Sequence, residues 1–343
     1  MDKIRIAKRI VGEGEPTFII AEIGSNHDGS LNQAKRLIQA AKEAGADAVK
    51  FQSFKADLLV SRKKLPHVHR VVNQNALPED WYQELVLYAR KKGIIFLSTP
   101  FDIERANLLQ EIGVDAFKIA SGDLTFYPLL KHVARFKKPV ILSTGMAFLE
   151  EVKKAVDTVR REGNNEIILL QCVSCYPAKL EDANIKAMVT MRNFFDLPVG
   201  YSDHTPGEVV PLGAVALGAS VIEKHLTLSR NLKGPDHSFA LEVNEFGEMV
   251  KKIRQLEKAL GSGEKRPVAG EMEERKFARR GVYASCYIPK GTVLKEKMIK
   301  MVRPAYRDSF KNPEEIVGKV ARVDILEDEP VTIQKICDEV LVK

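Results

Sequence analysis

The chain has 343 residues, 45% of them hydrophobic, enough for a large core and more than one small domain needs. Basic residues exceed acidic ones, 53 to 46, a mild surplus that suits anionic small molecules. Without a basic run interleaved with aromatics, nucleic acid is excluded as the expected partner. No apolar run reaches the roughly 18 residues of a membrane span, and MDKIRIAKRIVGEGEP lacks the apolar region of a signal peptide. The expectation is a cytoplasmic protein with no membrane contact.

In chain order, Ile4–Ile6 and Ile10–Val11 read as a small hairpin, placed to close the bottom of a barrel. Short apolar, β-branched runs then recur at Phe18–Ile23, Ala48–Gln52, Ile94–Ser98, Ala116–Ile119, Val140–Ser143, Ile167–Cys172, Pro198–Tyr201 and Val221–His225. Helical periodicity fills the gaps at Asn32–Ala44, Asp80–Lys92, Ile103–Ile112, Pro128–Phe136, Glu150–Arg161, Ile185–Phe194, Glu208–Leu217 and Val243–Leu260. Strand–helix units repeated eight times over about 260 residues predict an α/β fold, a (β/α)8 TIM barrel. The turn after the first strand, EIGSNHDG, is not the GxGxxG of an open dinucleotide-binding sheet.

Past Leu260 the pattern changes. Residues 1–262 read as the barrel with its hairpin, 263–280 as a turn-rich and charged linker, and 281–343 as a small β-rich domain. Its predicted strands are Val282–Ala284, Val293–Leu294 and Ala321–Val323.

A barrel of this kind carries its chemistry at the C-terminal ends of its strands. Here those ends present Glu22, with Asn26 and His27 following; Lys50 and Gln52; Ser98 and Thr99; and Lys118, with Ser121 and Asp123 following. The remaining four give Ser143 and Thr144; Gln171, then Ser174 and Tyr176; Ser202, Asp203 and His204; and Glu223 and His225. Lys50 and Lys118 sit inside apolar runs, where an unpaired ammonium is costly, so each either pairs with a barrel carboxylate such as Glu22 or faces a bound anion. His204 and His225, on neighbouring strand ends beside Asp203 and Glu223, form a candidate divalent-metal site with open positions, suited to Lewis-acid work on a carbonyl. Distributed donors (Lys50, Lys118, Thr99, Ser121, Ser143, Thr144 and Ser202) would suit a phosphorylated anion. His67 and His69 read as loop-surface or lid residues. Cys172 and Cys175 form a CxxC that ends a strand instead of opening a helix and has no second pair, so neither redox nor zinc chemistry is expected. Cys286 and Cys337 read as ordinary reduced thiols.

The stretches EIGSNHDGSL, AVKFQS, LSTPFD, FKIASGD, ILSTGM, YSDHT, VIEKHLT and KGPDHSFAL resemble the sialic acid synthase family in their order, and RRGVYASCYIPKGTVL with MVRPAY resembles its C-terminal antifreeze-like (SAF) domain. The resemblance spans essentially the whole chain. It implies metal-dependent condensation of phosphoenolpyruvate, the co-substrate, with N-acetylmannosamine or a diacetamido relative, as sialic acid, legionaminate and pseudaminate synthases perform. By resemblance His204 and His225 hold manganese or magnesium, and Lys50, Thr99, Lys118, Ser121, Ser143 and Ser202 contact phosphoenolpyruvate. Gln52, Tyr176 and Asp236 face the acceptor sugar, and Glu22 handles a proton or orients water. Arg303 reaches the sugar's acyl group across a dimer interface, implying a domain-swapped homodimer in which the SAF domain caps the partner barrel. Three departures are visible: Asp123 stands where many members have Glu, Ser174 where some have an amide, and AYRDSF where many have a glycine-rich loop. Two other readings are a 3-deoxy-octulosonate phosphate synthase-like barrel, and a SAF-mediated carbohydrate-binding or coat-assembly protein.

Overall fold

The computed structural model describes residues 3–306 and 308–338, and its internal packing divides the chain into two units, Met1–Gly261 and Ser262–Lys343. In the first, β1 (Ile4–Ile6) and β2 (Arg9–Val11) pair antiparallel, Ile4 opposite Val11. Ile4, Ile6 and Val11 join Phe18, Ile20, Leu97, Ile141 and Ile168 in one buried cluster, so the hairpin plugs the N-terminal end of the barrel strands. Burying these apolar faces together stabilises at roughly 25 cal/mol per Å² removed from water.

Eight parallel strands alternate with helices: β3 (Phe18–Glu22), α1 (Leu31–Glu43), β4 (Ala48–Ser53), α2 (Ala56–Leu59), α3 (Pro66–Gln74), α4 (Trp81–Lys92), β5 (Ile95–Pro100) and α5 (Ile103–Glu111). Next come β6 (Phe117–Ile119), α6 (Tyr127–Ala134), β7 (Val140–Ser143), α7 (Leu149–Arg161), β8 (Ile167–Cys172), α8 (Lys186–Phe195), β9 (Val199–Asp203), α9 (Val209–Ala216) and β10 (Val221–Thr227). A short β11 (Leu241–Glu242) adds to β10, and α10 (Val243–Leu260) closes the unit. The strand order is β5-β4-β3-β10-β9-β8-β7-β6, and the two end strands pack side by side to close the ring. Side chains alternate along each strand: Ile20, Leu97 and Ile168 point into the ring, while Ile19, Val49 and Phe96 point outward onto the apolar stripes of helices such as α1 (Leu37, Ile38) and α4 (Leu85, Val86). The expected (β/α)8 barrel is what forms.

Several boundaries move. β5, β9 and β10 each run two residues beyond the predicted ends, because the polar residues that looked like loop are still in ladder register, Gln52 opposite Thr99 and Lys224 opposite Asp203. The segment holding His67 and His69 is not a loop but helix α3, opened by Pro66 at its first turn. None of its residues is buried, so no core-facing stripe announced it.

The second unit holds α11 (Glu271–Ala278) within the stretch read as linker. Beyond it lie two antiparallel pairs, β12 (Gly281–Ala284) with β13 (Ile299–Val302) and β14 (Val320–Ala321) with β15 (Ile336–Cys337). The expected strand at Val293–Leu294 is a single bridge from Val293 to Val320. Val282, Ala284, Ile288, Leu294, Ile316, Ile325 and Val331 make this unit's own core. Among the described residues, no helix of the protein is long and apolar enough to cross a membrane.

Gly200 shows how tightly the ring is filled. A Cβ there would lie 2.2 Å from the Val221 carbonyl oxygen and 2.9 Å from Leu170 Cδ2. Gly200→Ala is expected to cost about 1–3 kcal/mol by overpacking; chemical denaturation giving an unchanged midpoint would show that the strands yield there.

Candidate active site

Parallel register brings the C-terminal ends of β3, β4, β9 and β10 level: His225 is opposite Glu22, Glu22 opposite Lys50, and Glu223 opposite Ser202. Four charged side chains meet in the ring at this height, each nearly removed from solvent. Lys50 Nζ lies 2.6 Å from Glu22 Oε2 and 3.6 Å from Glu223 Oε1, and Lys118 Nζ lies 3.5 Å from the same Glu223 oxygen. Hydroxyls complete the cluster: Lys50 donates to Thr99 (3.2 Å), Lys118 to Ser143 (2.7 Å), and Ser202 to Glu223 (3.0 Å). Gln52 Nε2 donates to Glu22 Oε1 at 2.8 Å.

Two cations and two carboxylates balance formally, which is how four such groups tolerate burial. Burial works against the Lys50 ammonium, but Glu22 and Glu223 outweigh it and raise its pKa. Burial would push Glu223 up, but Lys118 and Lys50 hold it below the usual carboxylate range. Lys118 is pulled down by burial, with Lys50 adding to the effect. Glu22 is pushed up by burial, reinforced by Glu223 and opposed by Lys50, so it is the member best suited to exchange a proton.

Beside the cluster, the rings of His204 and His225 lie with centroids 5.4 Å apart. His204 Nδ1 is 2.8 Å from the Val173 carbonyl oxygen, to which it donates, leaving Nε2 as the lone-pair nitrogen. Burial lowers the pKa of His204, and burial plus the neighbouring His204 and lysine charges drive His225 well below the usual histidine range. His225 Nδ1 is buried with no protein partner. Two neutral imidazoles with free lone pairs are the form a divalent ion needs. Among the described residues, no group of three or more His, Cys, Asp and Glu side chains is placed to hold an ion, so the protein would offer a metal these two imidazoles alone. Tyr176 and Phe239 wall the pair, their rings 4.2 Å from His204 and 4.9 Å from His225 respectively.

A third group lies on the loops. Asp236 accepts from the Ser25 amide at 2.9 Å. A Cβ on Gly24, whose φ is +52°, would lie 2.4 Å from Asp236 Oδ2 and 3.4 Å from both Gln52 Nε2 and Glu22 Oε1. Glycine is thus needed at 24 for the backbone turn and for this convergence. Across the mouth, the Gly145 amide donates to Ser121 Oγ at 3.0 Å, and a Cβ at 145 would meet Ser174 Oγ at 2.5 Å. Ser174 Oγ, Asp123 Oδ2 and Glu223 Oε2 are buried with no hydrogen-bond partner among the described residues, leaving them open to a ligand or to water.

Three sequence readings need correction. Asp203 does not stand beside the histidines for metal; it is on the opposite face of its strand, 2.5 Å from the buried Lys224, and accepts from Thr205. Alternation explains this: Glu223 and His225 share the inward face and Lys224 the other. Thr144 commits its hydroxyl to the Leu170 carbonyl at 2.9 Å and packs against the Met191 sulfur, so it offers no donor to the cluster. Glu223, read only as a neighbour of the metal, is the carboxylate shared by both lysines; the alternating Glu-Lys-His was its signal. Cys172 is buried, 3.8 Å from His204 Nδ1, Cys175 is exposed, and both are free thiols. His69 pairs with Asp57 on the surface segment. Arg303 lies in the C-terminal unit, directly after β13.

A family model described as the NeuB family matches residues 37–265, two thirds of the chain, and one described as the SAF domain matches residues 279–336. The chain belongs to the NeuB family. It is 44% identical over 327 residues to the N,N'-diacetyllegionaminic acid synthase of Campylobacter jejuni, covering 91% of this chain and 98% of that one. It is 37% identical over 338 residues to the human N-acetylneuraminate-9-phosphate synthase, covering 94% and 93%. The crystal structure of N-acetylneuraminic acid synthetase from Leptospira borgpetersenii, in complex with citrate, superposes with a TM-score of 0.76 at 38% identity, covering 80% of this chain and 95% of that one. The protein is thus an enzyme of a synthase family, a TIM barrel followed by a SAF domain.

Asp123 yields a pH test. Burial pushes its carboxyl up to about 6, from an ordinary value of 3.8. The folded protein therefore holds this proton more tightly than the unfolded chain, so the group's contribution to stability is full below about pH 4, falls between about pH 4 and 6, and stays low above. Asp123→Asn is expected to raise Tm relative to the parent more at pH 7 than at pH 4. A difference independent of pH would refute the buried-acid assignment.

Proposed function

We propose that this NeuB-family enzyme condenses phosphoenolpyruvate with the open-chain aldehyde of an acylated hexosamine, yielding a nine-carbon 2-keto acid and phosphate. The observation that carries this reading is the buried Lys50–Glu22–Glu223–Lys118 cluster, level with two neutral histidines and rimmed by unsatisfied hydroxyl and carboxyl groups. Lys50, Lys118, Thr99, Ser143 and Ser202 already face one another, with Ser121 and the Gly145 amide beside them, and supply the donors for a phosphate and a carboxylate.

Charge balance supports a cation as well. The four-residue cluster is neutral, so a multiply charged anion entering it needs compensating positive charge. His204 and His225 would hold a divalent ion, manganese or magnesium, which supplies that charge and polarises the aldehyde oxygen. In the reaction, the C2–C3 double bond of phosphoenolpyruvate supplies the electron pair for a bond from C3 to the aldehyde carbon, whose oxygen takes up a proton and becomes a hydroxyl. Water adds at C2 with loss of one proton, and the C2–O bond to phosphate breaks as the C2 hydroxyl gives up its proton to form the ketone. Glu22, its proton affinity raised by burial, takes the proton from that water in this reading. Gln52, Tyr176 and Asp236 orient the sugar, and Arg303 of a second copy contributes from its SAF domain. Tyr176 and Phe239 set aromatic rings beside the two histidines, an apolar surface for the sugar's carbon skeleton.

N-acetylmannosamine is one acceptor; a diacetamido hexose, as for legionaminate or pseudaminate, is the other. Asp123, a methylene shorter than Glu, leaves more room at the rim and favours the second. Phosphate release is measured with phosphoenolpyruvate and, in turn, N-acetylmannosamine, its 6-phosphate and the diacetamido sugars. Turnover is expected with at least one unphosphorylated sugar, abolished by EDTA and restored by Mn²⁺ or Mg²⁺. His204→Ala should lose at least about a hundredfold in kcat with an unchanged circular dichroism spectrum. No phosphate release from any of these sugars, with metal present, would refute the proposal.

A further inference from the structure

The loop 228–240 leaves β10 and returns to it as β11, Leu226 lying opposite Leu241. Its stem is clamped by Arg230, whose amide donates to Glu242 at 2.9 Å and whose guanidinium pairs with Glu245. The tip carries Asp236 and, next to it, His237, whose side chain is 1% exposed. His237 Nε2 donates to the Asp28 carboxylate at 2.9 Å, and Nδ1 lies 2.7 Å from Thr227 Oγ1. Asp28 belongs to a different loop, the turn after β3, where its φ of +49° marks a left-handed position. That turn is itself fixed: the Asn26 amide group donates to the Leu226 carbonyl, Gln33 binds both the Asn26 carbonyl and Asp28, and Ser30 caps α1. The fit is close enough to need glycine at 234, where a Cβ would lie 2.7 Å from the His237 ring and 2.8 Å from Asp28.

We infer that Asp28 and His237 form a clasp that positions Asp236 over the mouth of the barrel; the inference rests on the reading of Asp236 as an acceptor-facing group. The clasp fixes the residue next to Asp236 to the same turn whose Ser25 amide holds the Asp236 carboxylate. Both attachments end on residues 25–28, so the loop tip and the β3 turn move as one body, with Asp236 beside Gln52 and Glu22. Among the described residues Asp28 bonds to Gln33 and His237 and not to the lysine cluster, so it acts through Asp236.

The test uses the full chain with phosphoenolpyruvate, the acceptor sugar that turns over, and Mn²⁺. Asp28→Ala should raise the sugar KM about tenfold, the loss of one charge-assisted hydrogen bond. The phosphoenolpyruvate KM should stay within about twofold, and Asp28→Asn, which keeps an acceptor oxygen, should recover most of the effect. In an Asp236→Asn background, adding Asp28→Ala should change the sugar KM by less than about twofold, because the group it positions is already gone. An unchanged sugar KM, equal losses for both substrates, or effects that multiply with Asp236→Asn would each overturn the inference. A second measurement is independent of turnover: amide hydrogen exchange across 228–240 should quicken in Asp28→Ala while Tm holds. Unchanged exchange there refutes the clasp even if the enzyme is active. A parent enzyme that turns over no sugar refutes the proposed function instead, and the exchange measurement still decides the clasp.

Discussion

Everything at the top of this barrel depends on one constraint: two lysines buried inside a ring of strands must find their counter-charges within that ring. Lys50 and Lys118 find them in Glu22 and Glu223, with Glu223 shared between the two. Removing one member would leave an uncompensated buried charge, costing far more than an exposed ion pair contributes. The cluster therefore links β3, β4, β6 and β10 through side chains that each need their partners in place. It also leaves Glu223 Oε2 unsatisfied, so the arrangement is complete electrostatically but open chemically.

A second buried pair joins the outward face of β10 to its neighbour β9. Lys224 and Asp203 lie opposite each other in the ladder between β9 and β10, and Lys224 also donates to the Thr205 carbonyl. His204 comes directly after Asp203 and His225 directly after Lys224, so the pair ties together the two strand ends that carry the imidazoles. Inward groups face the reacting space and outward groups set the distance between the strands. The period of two along a strand separates these tasks residue by residue.

Much of this was legible in the sequence. Eight apolar runs alternating with helical stripes indicate the ring, and polar residues at the ends of those runs indicate its reactive face. Where reading failed, direction or burial was the missing information. Asp203 looked like a metal neighbour because it adjoins His204, and only the ladder register turns it toward Lys224. Thr144 looked like a donor because it adjoins Ser143, yet its hydroxyl satisfies a backbone carbonyl. Helix α3 was invisible because it buries nothing, and β13 because its residues, KEKMIKMV in context, are only half-buried and mixed with charge. The pairing of loop 228–240 with the β3 turn joins residues about 200 positions apart, a relation no local pattern encodes.

The division between floor and rim has a consequence for how such an enzyme changes over time. Its charged floor is built from strand residues locked in register, where each substitution disturbs several partners at once. Its rim, with Ser174, Tyr176 and Asp236 on loops and Asp123 on a single 3-10 turn after β6, lies outside the strands, where a side chain can change length while the ladder beneath stays intact. If the proposed reaction is right, single replacements on the rim would retune the fit of the acceptor while the charged floor beneath is inherited unaltered, so that one barrel could take up new acceptors without rebuilding its buried ion pairs.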